Sequence, residues 1–319
     1  MRPWNTAPDR HVPSCPCHQH GLHRPAAPGL VQERPDRTLI LRPVLRELAD
    51  GKLLVDEPAA GVARLTISNP TKRNALDHPI LDAISATLDE LSGAGAADGS
   101  PPPARCVLIT GAHGMFSAGY DIGEIPDEEF EERAERLVAH PFTQAIEALE
   151  EFPYPTLAAL PGHTIGGGLE LALSCDLRVA QAEIKLGMPP AKLGLVYSHT
   201  GLRRFIDAIG AARTRELFLL GSYIDADTAL LWGLVNRVAS ATDLEATALE
   251  LASELAGNAP LSQTGNKRVI EALLNAESEL PADVEAELIE LRRASFASQD
   301  LREGMRAFSE RRAARWRGE

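Results

Sequence analysis

Thr156-Leu-Ala-Ala-Leu-Pro-Gly-His-Thr-Ile-Gly-Gly-Gly-Leu-Glu-Leu171 decides how this chain folds. Its first five residues read as a short buried strand, Pro161-Gly162 breaks that strand, and Gly166-Gly-Gly168 opens a helix near Gly167. Working outward, Cys106-Val-Leu-Ile-Thr110 is a fully apolar run of the kind a sheet buries on both faces, and Asp176-Leu-Arg-Val-Ala180 is a third strand. Upstream, Val62-Ala-Arg-Leu-Thr-Ile67 reads as a strand and Asn69-Pro70 as a turn. His78-Pro79 then opens a helix whose apolar residues Ile80, Leu81, Ile84, Leu88 and Leu91 recur at helical spacing. Further helices are expected over about Glu128 to Glu151 and Thr200 to Leu220, with a loop from Gly93 to Pro103. Strands that alternate with helices in this order pair in parallel through right-handed crossovers, so the fold class is α/β.

The 319 residues hold 44% apolar and 24% charged side chains, which is a globular composition. The net charge of −13 argues against nucleic acid as the main partner, because phosphate contacts need Lys and Arg. No apolar run approaches the roughly 20 residues of a membrane span, and the start lacks the apolar segment of a signal peptide. Cys106 and Cys175 sit in apolar strings and form no disulfide framework. These features predict a cytoplasmic protein with reduced thiols.

Three regions follow. Residues 1–45, punctuated by eight prolines, predict an unstructured extension. That extension carries Cys15, Cys17, His18, His20 and His23, but no second ligand pair stands at finger spacing, so no metal site is assigned. Residues 46–242 form the α/β core. Residues 243–319 are helical only, over Leu244–Asn258, Leu261–Glu277, Asp283–Ala297 and Asp300–Arg315, and suit a lid or an oligomerisation element. The last 29 residues hold eight arginines against four acidic residues. These arginines either pair with the acidic core surface or hold an anionic ligand such as a phosphate. The eight acidic residues from Asp121 to Glu135 read as a solvated face.

Chemistry concentrates at two glycine-containing turns, Phe116-Ser-Ala-Gly-Tyr-Asp-Ile122 and Gly162–Leu171. Consecutive glycines at a helix start let a ligand atom approach free backbone N–H groups. A dinucleotide turn is one candidate, but the spacing is not G-x-G-x-x-G, and Glu170 in the first helical turn would repel a pyrophosphate. A small developing oxyanion, with a carboxylate nearby to move a proton, fits better. A plain packing turn stays open on these residues alone.

Together the turns resemble the crotonase, or enoyl-CoA hydratase/isomerase, superfamily. The resemblance runs from about Leu53 to the end. It rests on Arg73-Asn-Ala-Leu76, Phe116–Ile122, Gly166-Gly-Gly-Leu-Glu170 followed by Cys175-Asp176, and Glu303-Gly-Met-Arg-Ala-Phe308. It implies a spiral of ββα units with a helical C-terminal region used for trimerisation, often as a dimer of trimers. It also implies an acyl-CoA thioester substrate and no cofactor beyond that coenzyme A. The family's oxyanion hole would fall on the N–H groups of Tyr120 and Gly167, where a side chain at 167 would block the oxygen. Coenzyme A would lie along Lys72, Arg73, Ala75 and Ala118, with its 3′-phosphate near Arg311 or Arg317.

Hydratases of this family use two glutamates. Glu170 matches the first, but the position of the second is Pro190, which can neither donate nor accept a proton. The segment Gly187-Met-Pro-Pro-Ala-Lys-Leu-Gly-Leu-Val-Tyr197 instead resembles the methylmalonyl-CoA decarboxylase branch, which has a tyrosine at the position of Tyr197 but a histidine at that of Tyr120. Loss of CO₂ from a malonyl-type thioester needs no base and leaves the same enolate. The resemblance therefore implies decarboxylation through Tyr120, Gly167, Glu170 and Tyr197. The alternatives are a single-glutamate hydratase or isomerase and a non-catalytic acyl-CoA-binding protein. His199 is expected at a helix cap or the surface, His163 either beside the glycines of the site or equally as a packed histidine, Asp121 and Asp176 holding turns, and Cys175 in the core.

Overall fold

The computed structural model describes residues 46–93, 104–121, 141–276 and 280–317. The expected extension with its Cys/His cluster, nearly all of the expected loop after Gly93 and the acidic run beyond Asp121 lie outside the described residues.

Two sheets form the frame. The larger has the order β1 (Arg46–Leu48), β2 (Leu53–Ala59), β3 (Val62–Ile67), β4 (Cys106–Gly111), β6 (Thr156–Leu160), β8 (Leu177–Gln181) and β11 (Arg237–Ala239). From β3 onward every pairing in it is parallel, with Val62 opposite Cys106 and Val107 opposite Thr156. The smaller sheet has the order β10 (Tyr223–Asp225), β9 (Lys185–Gly187), β7 (His163–Ile165) and β5 (Met115–Ser117). Successive pairs β4–β5, β6–β7 and β8–β9 each send their first strand to the large sheet and their second to the small one. This repeated step is the spiral expected of the fold.

The apolar runs of β4 and β6 are explained by burial on both faces. Val107, Ile109, Ala158 and Leu160 face one core cluster, which also receives Ile80, Leu81, Ile84 and Leu88 of α1 (His78–Ser92). Cys106, Leu108, Leu157 and Ala159 face the other way, under α7 (Leu244–Gly257), which contributes Leu244, Ala248, Leu251, Ala252 and Ala256 at helical spacing. The helix just past position 242 therefore covers the second face of the sheet. Asp77 caps α1 by accepting from the Ile80 N–H at 3.0 Å, an arrangement that contributes about 1 kcal/mol.

Some boundaries differ from the sequence reading. Asn69-Pro70 leads into a 3₁₀ turn, Pro70–Lys72. Of the helix expected from Glu128, α2 (Thr143–Glu151) is described, and the part up to residue 140 lies outside the described residues. The helix expected over Thr200 to Leu220 begins at His199 as α5 (His199–Arg215), breaks its geometry at Gly210 and ends in a π turn, Glu216–Leu220. After α6 (Ala226–Trp232) and α7 come α8 (Pro260–Ala276), α9 (Ala282–Ala297) and α10 (Gln299–Ser309). The last helix stops at Ser309 rather than Arg315, because Glu303 takes the Arg315 N–H and the Arg312 side chain, folding the chain back.

Candidate active site

Glu170 lies in α3 (Gly167–Leu173), the short helix that the glycines open, and is 2% exposed. A buried arginine holds that helix in place. Arg178 of β8 donates through Nη1 to the carbonyls of Leu173 and Cys175 at the C-terminal end of α3, and through Nε to that of Leu234. It thereby satisfies carbonyls that a helix end leaves orphaned.

The segment before α1 is tied to the turn at Phe116–Ile122. Ala118 N–H donates to the Arg73 carbonyl, Leu76 N–H to that of Gly119, and Asp121 N–H to that of Leu76. Leu76 and Tyr120 thus form a parallel bridge. In that pattern the N–H of Tyr120 faces away from Leu76. Among the described residues, no hydrogen bond uses the N–H of Tyr120 or that of Gly167. The two turns touch: a Cβ on Gly119 would stand 3.1 Å from the Gly167 nitrogen. A Cβ on Gly167 would meet the Tyr120 ring first, at 2.8 Å from Cε1. The Tyr120 ring is therefore one group that demands glycine at this position.

Tyr197 stands just before α5, 9% exposed. Its hydroxyl donates to Oε2 of Glu170 and lies 3.4 Å from the Tyr120 hydroxyl. Arg204 of α5 places Nη1 at 3.4 Å from Oε1 of Glu170. Its Nε and Nη2 both engage Glu150 at the end of α2, the latter at 2.9 Å. Ser198 caps α5 through Gly201, which must be glycine: a Cβ there would lie 2.7 Å from both Glu170 Oε1 and Tyr197 Cε1.

Burial raises the Glu170 carboxyl above the ordinary glutamate range; Arg204 and the Tyr197 hydroxyl pull it back, and Glu150 pushes it up again. Burial, reinforced by the Glu170 charge, pushes both Tyr120 and Tyr197 well above the usual phenol value. Both phenols therefore stay protonated and act as hydrogen-bond donors.

The structure thus brings together Tyr120, Gly167, Glu170 and Tyr197. Lys72, Arg73, Ala75 and Ala118 run alongside, with Lys72 paired to Asp121 at 2.8 Å. Pro190 opens the short helix α4 (Pro190–Leu193) and is buried. Arg311 and Arg317 lie past the end of α10, where the Arg317 N–H donates to Asp300 at 2.7 Å. Among the other expected residues, Asp176 accepts from Thr156 and pairs with Lys267 of α8 at 2.9 Å. His163 is exposed rather than packed, its Nδ1 accepting from the Lys185 N–H at the surface, and His199 is the first residue of α5 rather than its cap, with Nε2 3.6 Å from Glu285. Cys175 is buried. Sequence reasoning missed Glu150, Arg178, Gly201 and Arg204; only the Arg203-Arg204 pair one turn into a helix near the site could have drawn attention. Among the described residues no group of three metal-ligating side chains comes together, and no helix is long and apolar enough to cross a membrane.

This chain belongs to the enoyl-CoA hydratase/isomerase family, the crotonases, whose model matches residues 57–319. A probable enoyl-CoA hydratase of Bacillus subtilis (strain 168) is 36% identical over 261 residues, which cover 81% of this chain and 96% of that protein. A carnitinyl-CoA dehydratase of Salmonella typhi is 32% identical over 266 residues, covering 80% and 97%. Among solved structures, a methylmalonyl-CoA decarboxylase in complex with 2-nitronate-propionyl-CoA is similar with a TM-score of 0.74 at 28% identity, covering 84% of this chain and 99% of that one.

Proposed function

We propose that this protein decarboxylates a malonyl-type CoA thioester such as methylmalonyl-CoA. The observation that carries the reading is the Tyr197 hydroxyl donating to the buried Glu170, in a chain with Pro190 where a hydratase of the family has its second glutamate. The likeness to a methylmalonyl-CoA decarboxylase structure supports it.

The thioester oxygen would sit between the N–H groups of Tyr120 and Gly167. As the carbon–carbon bond to the carboxylate breaks, its electron pair moves into the thioester carbonyl, CO₂ departs and an enolate remains. Two backbone donors aimed at that oxygen stabilise it; losing one such donor typically costs about 3 to 4 kcal/mol of barrier. A neutral Glu170 would tolerate the substrate carboxylate and then pass its proton to the α-carbon. Tyr197 would hold the Glu170 side chain in position for that transfer. Coenzyme A would follow Lys72, Arg73, Ala75 and Ala118, with Arg311 or Arg317 meeting its 3′-phosphate. The working form would be a cytoplasmic homotrimer or dimer of trimers without a further cofactor.

A second reading, a single-glutamate enoyl-CoA hydratase or isomerase, is favoured by the relatives named as hydratases. Incubation with methylmalonyl-CoA and with crotonyl-CoA, followed by product mass, separates the two. Decarboxylation predicts propionyl-CoA and CO₂ from the first; brisk hydration of the second with no CO₂ from the first would overturn it. In Glu170→Gln, hydration should collapse while decarboxylation survives in part.

A further inference from the structure

Glu170 meets charged and titratable groups from every side. The Tyr197 hydroxyl donates to Oε2, Tyr120 closes the same pocket through its 3.4 Å contact with Tyr197, and Arg204 approaches Oε1. Arg204 is the cation in contact with Glu170, while Arg292 of α9 acts on the neighbouring Tyr120. The Nε and Nη2 of Arg204 are committed to Glu150, and Nη1 approaches Glu170 at the longer distance of 3.4 Å. A bidentate fork to one carboxylate is the stronger of the two interactions. Glu150 therefore offsets part of the effect of Arg204 on Glu170, which Arg204 still lowers more than Glu150 raises. Glu271 of α8, itself raised by burial and by Glu150, adds negative charge behind that pair. With Glu170 ionised, the group Glu150–Arg204–Glu170 carries a net charge of about −1; with Glu170 protonated it is neutral, which a buried site favours.

From this geometry we propose that Glu150 and Arg204 are a positioning pair that governs the charge state and orientation of Glu170. Neither touches Gly167 or the Tyr120 amide, so their effect passes through Glu170. Glu150 keeps Glu170 protonated at higher pH than Arg204 alone would permit, and so keeps it ready to give its proton to an enolate carbon. The role in turnover rests on the reaction proposed above; the coupling itself does not.

The test is a titration of the Glu170 carboxyl by difference infrared spectroscopy without substrate, using Glu170→Gln as the spectral blank. Glu150→Gln frees Arg204 for Glu170 and should move the titration down by about one pH unit. Arg204→Gln removes the cation and should move it up, and Glu150→Asp, which retains the charge, should leave it near the wild-type position. A misplaced helix would not produce opposite displacements from two members of one ion pair. If Glu150→Gln leaves the titration unmoved, or both Gln variants shift it in the same direction, the proposal fails. The pH profile of turnover should follow the same displacements, chiefly in kcat. Should the titration move as expected while neither thioester is turned over, the coupling stands and the reaction assignment falls.

Discussion

The Tyr197 hydroxyl donates to Oε2 of Glu170, and both side chains are almost wholly removed from water. Glu170 is set in a helix opened by three glycines, whereas Tyr197 ends a loop 27 residues later. A buried carboxyl with a phenol fixed on one oxygen and a shared guanidinium by the other is restrained in rotamer as well as in charge.

Tyr197→Phe removes that donor while keeping the ring packed against Phe218. Turnover of the productive thioester should fall about 10- to 100-fold in kcat with little change in KM. The Glu170 carboxyl should also titrate at higher pH, since the hydroxyl pulls it down in the native protein. Steady-state kinetics across pH check both outcomes.

Gly201→Ala places a methyl group 2.7 Å from Glu170 Oε1 and Tyr197 Cε1. Overpacking of this kind should cost about 1 to 3 kcal/mol of stability and separate the Glu170–Tyr197 pair. Denaturant unfolding and kcat should both register it, whereas Gly257→Ala, with nothing within 4 Å of the new carbon, should alter neither.

Arg178→Met leaves the carbonyls of Leu173, Cys175 and Leu234 without their donor. Each unsatisfied buried carbonyl costs about 1 to 3 kcal/mol, so the loss should be about 3 kcal/mol or more. Thermal unfolding should show a Tm lower by on the order of 10 °C.

Alkaline pH should destabilise the fold through its thiols. Burial pushes both Cys106 and Cys175 up to about 12, from 9.0 when exposed. Between those values the unfolded chain gives up thiol protons that the folded chain keeps. Stability is therefore fully present below about pH 9 and falls as pH rises toward 12, by up to about 1.4 kcal/mol per pH unit for each thiol. Denaturant unfolding between pH 8 and pH 11 should show this slope on the order of those values, reduced in Cys106→Ala/Cys175→Ala.

Part of this architecture was legible in the amino-acid sequence. The apolar run of Cys106–Thr110 read as a strand covered on both faces, and the glycines before Leu169 as the opening of a helix. Glu170 stood out as a carboxylate in the first turn of a glycine-opened helix, and Tyr197 only through the resemblance to the family. The ends of α5 and α10 were misread because a π turn and a side chain that caps from elsewhere leave no periodic trace.

Sequence alone determined the strands β3, β4, β6 and β8 with their parallel pairing, most of the long helices and the carboxyl at the head of α3, because periodicity and turn chemistry are local properties. The short strands of the second sheet and the antiparallel β1 and β2 carry too little pattern to be read. Tertiary structure decided that Arg204 divides its fork between Glu150 and Glu170, that Arg178 is buried against helix-end carbonyls, and that Gly201 lies under the Glu170–Tyr197 pair. The physical reason is that a charged residue on a helix reads the same whether it faces water or a carboxylate 34 or 54 positions away. Which it meets depends on the rotation and packing of whole elements, and that is settled only when the sheet buries both of its faces.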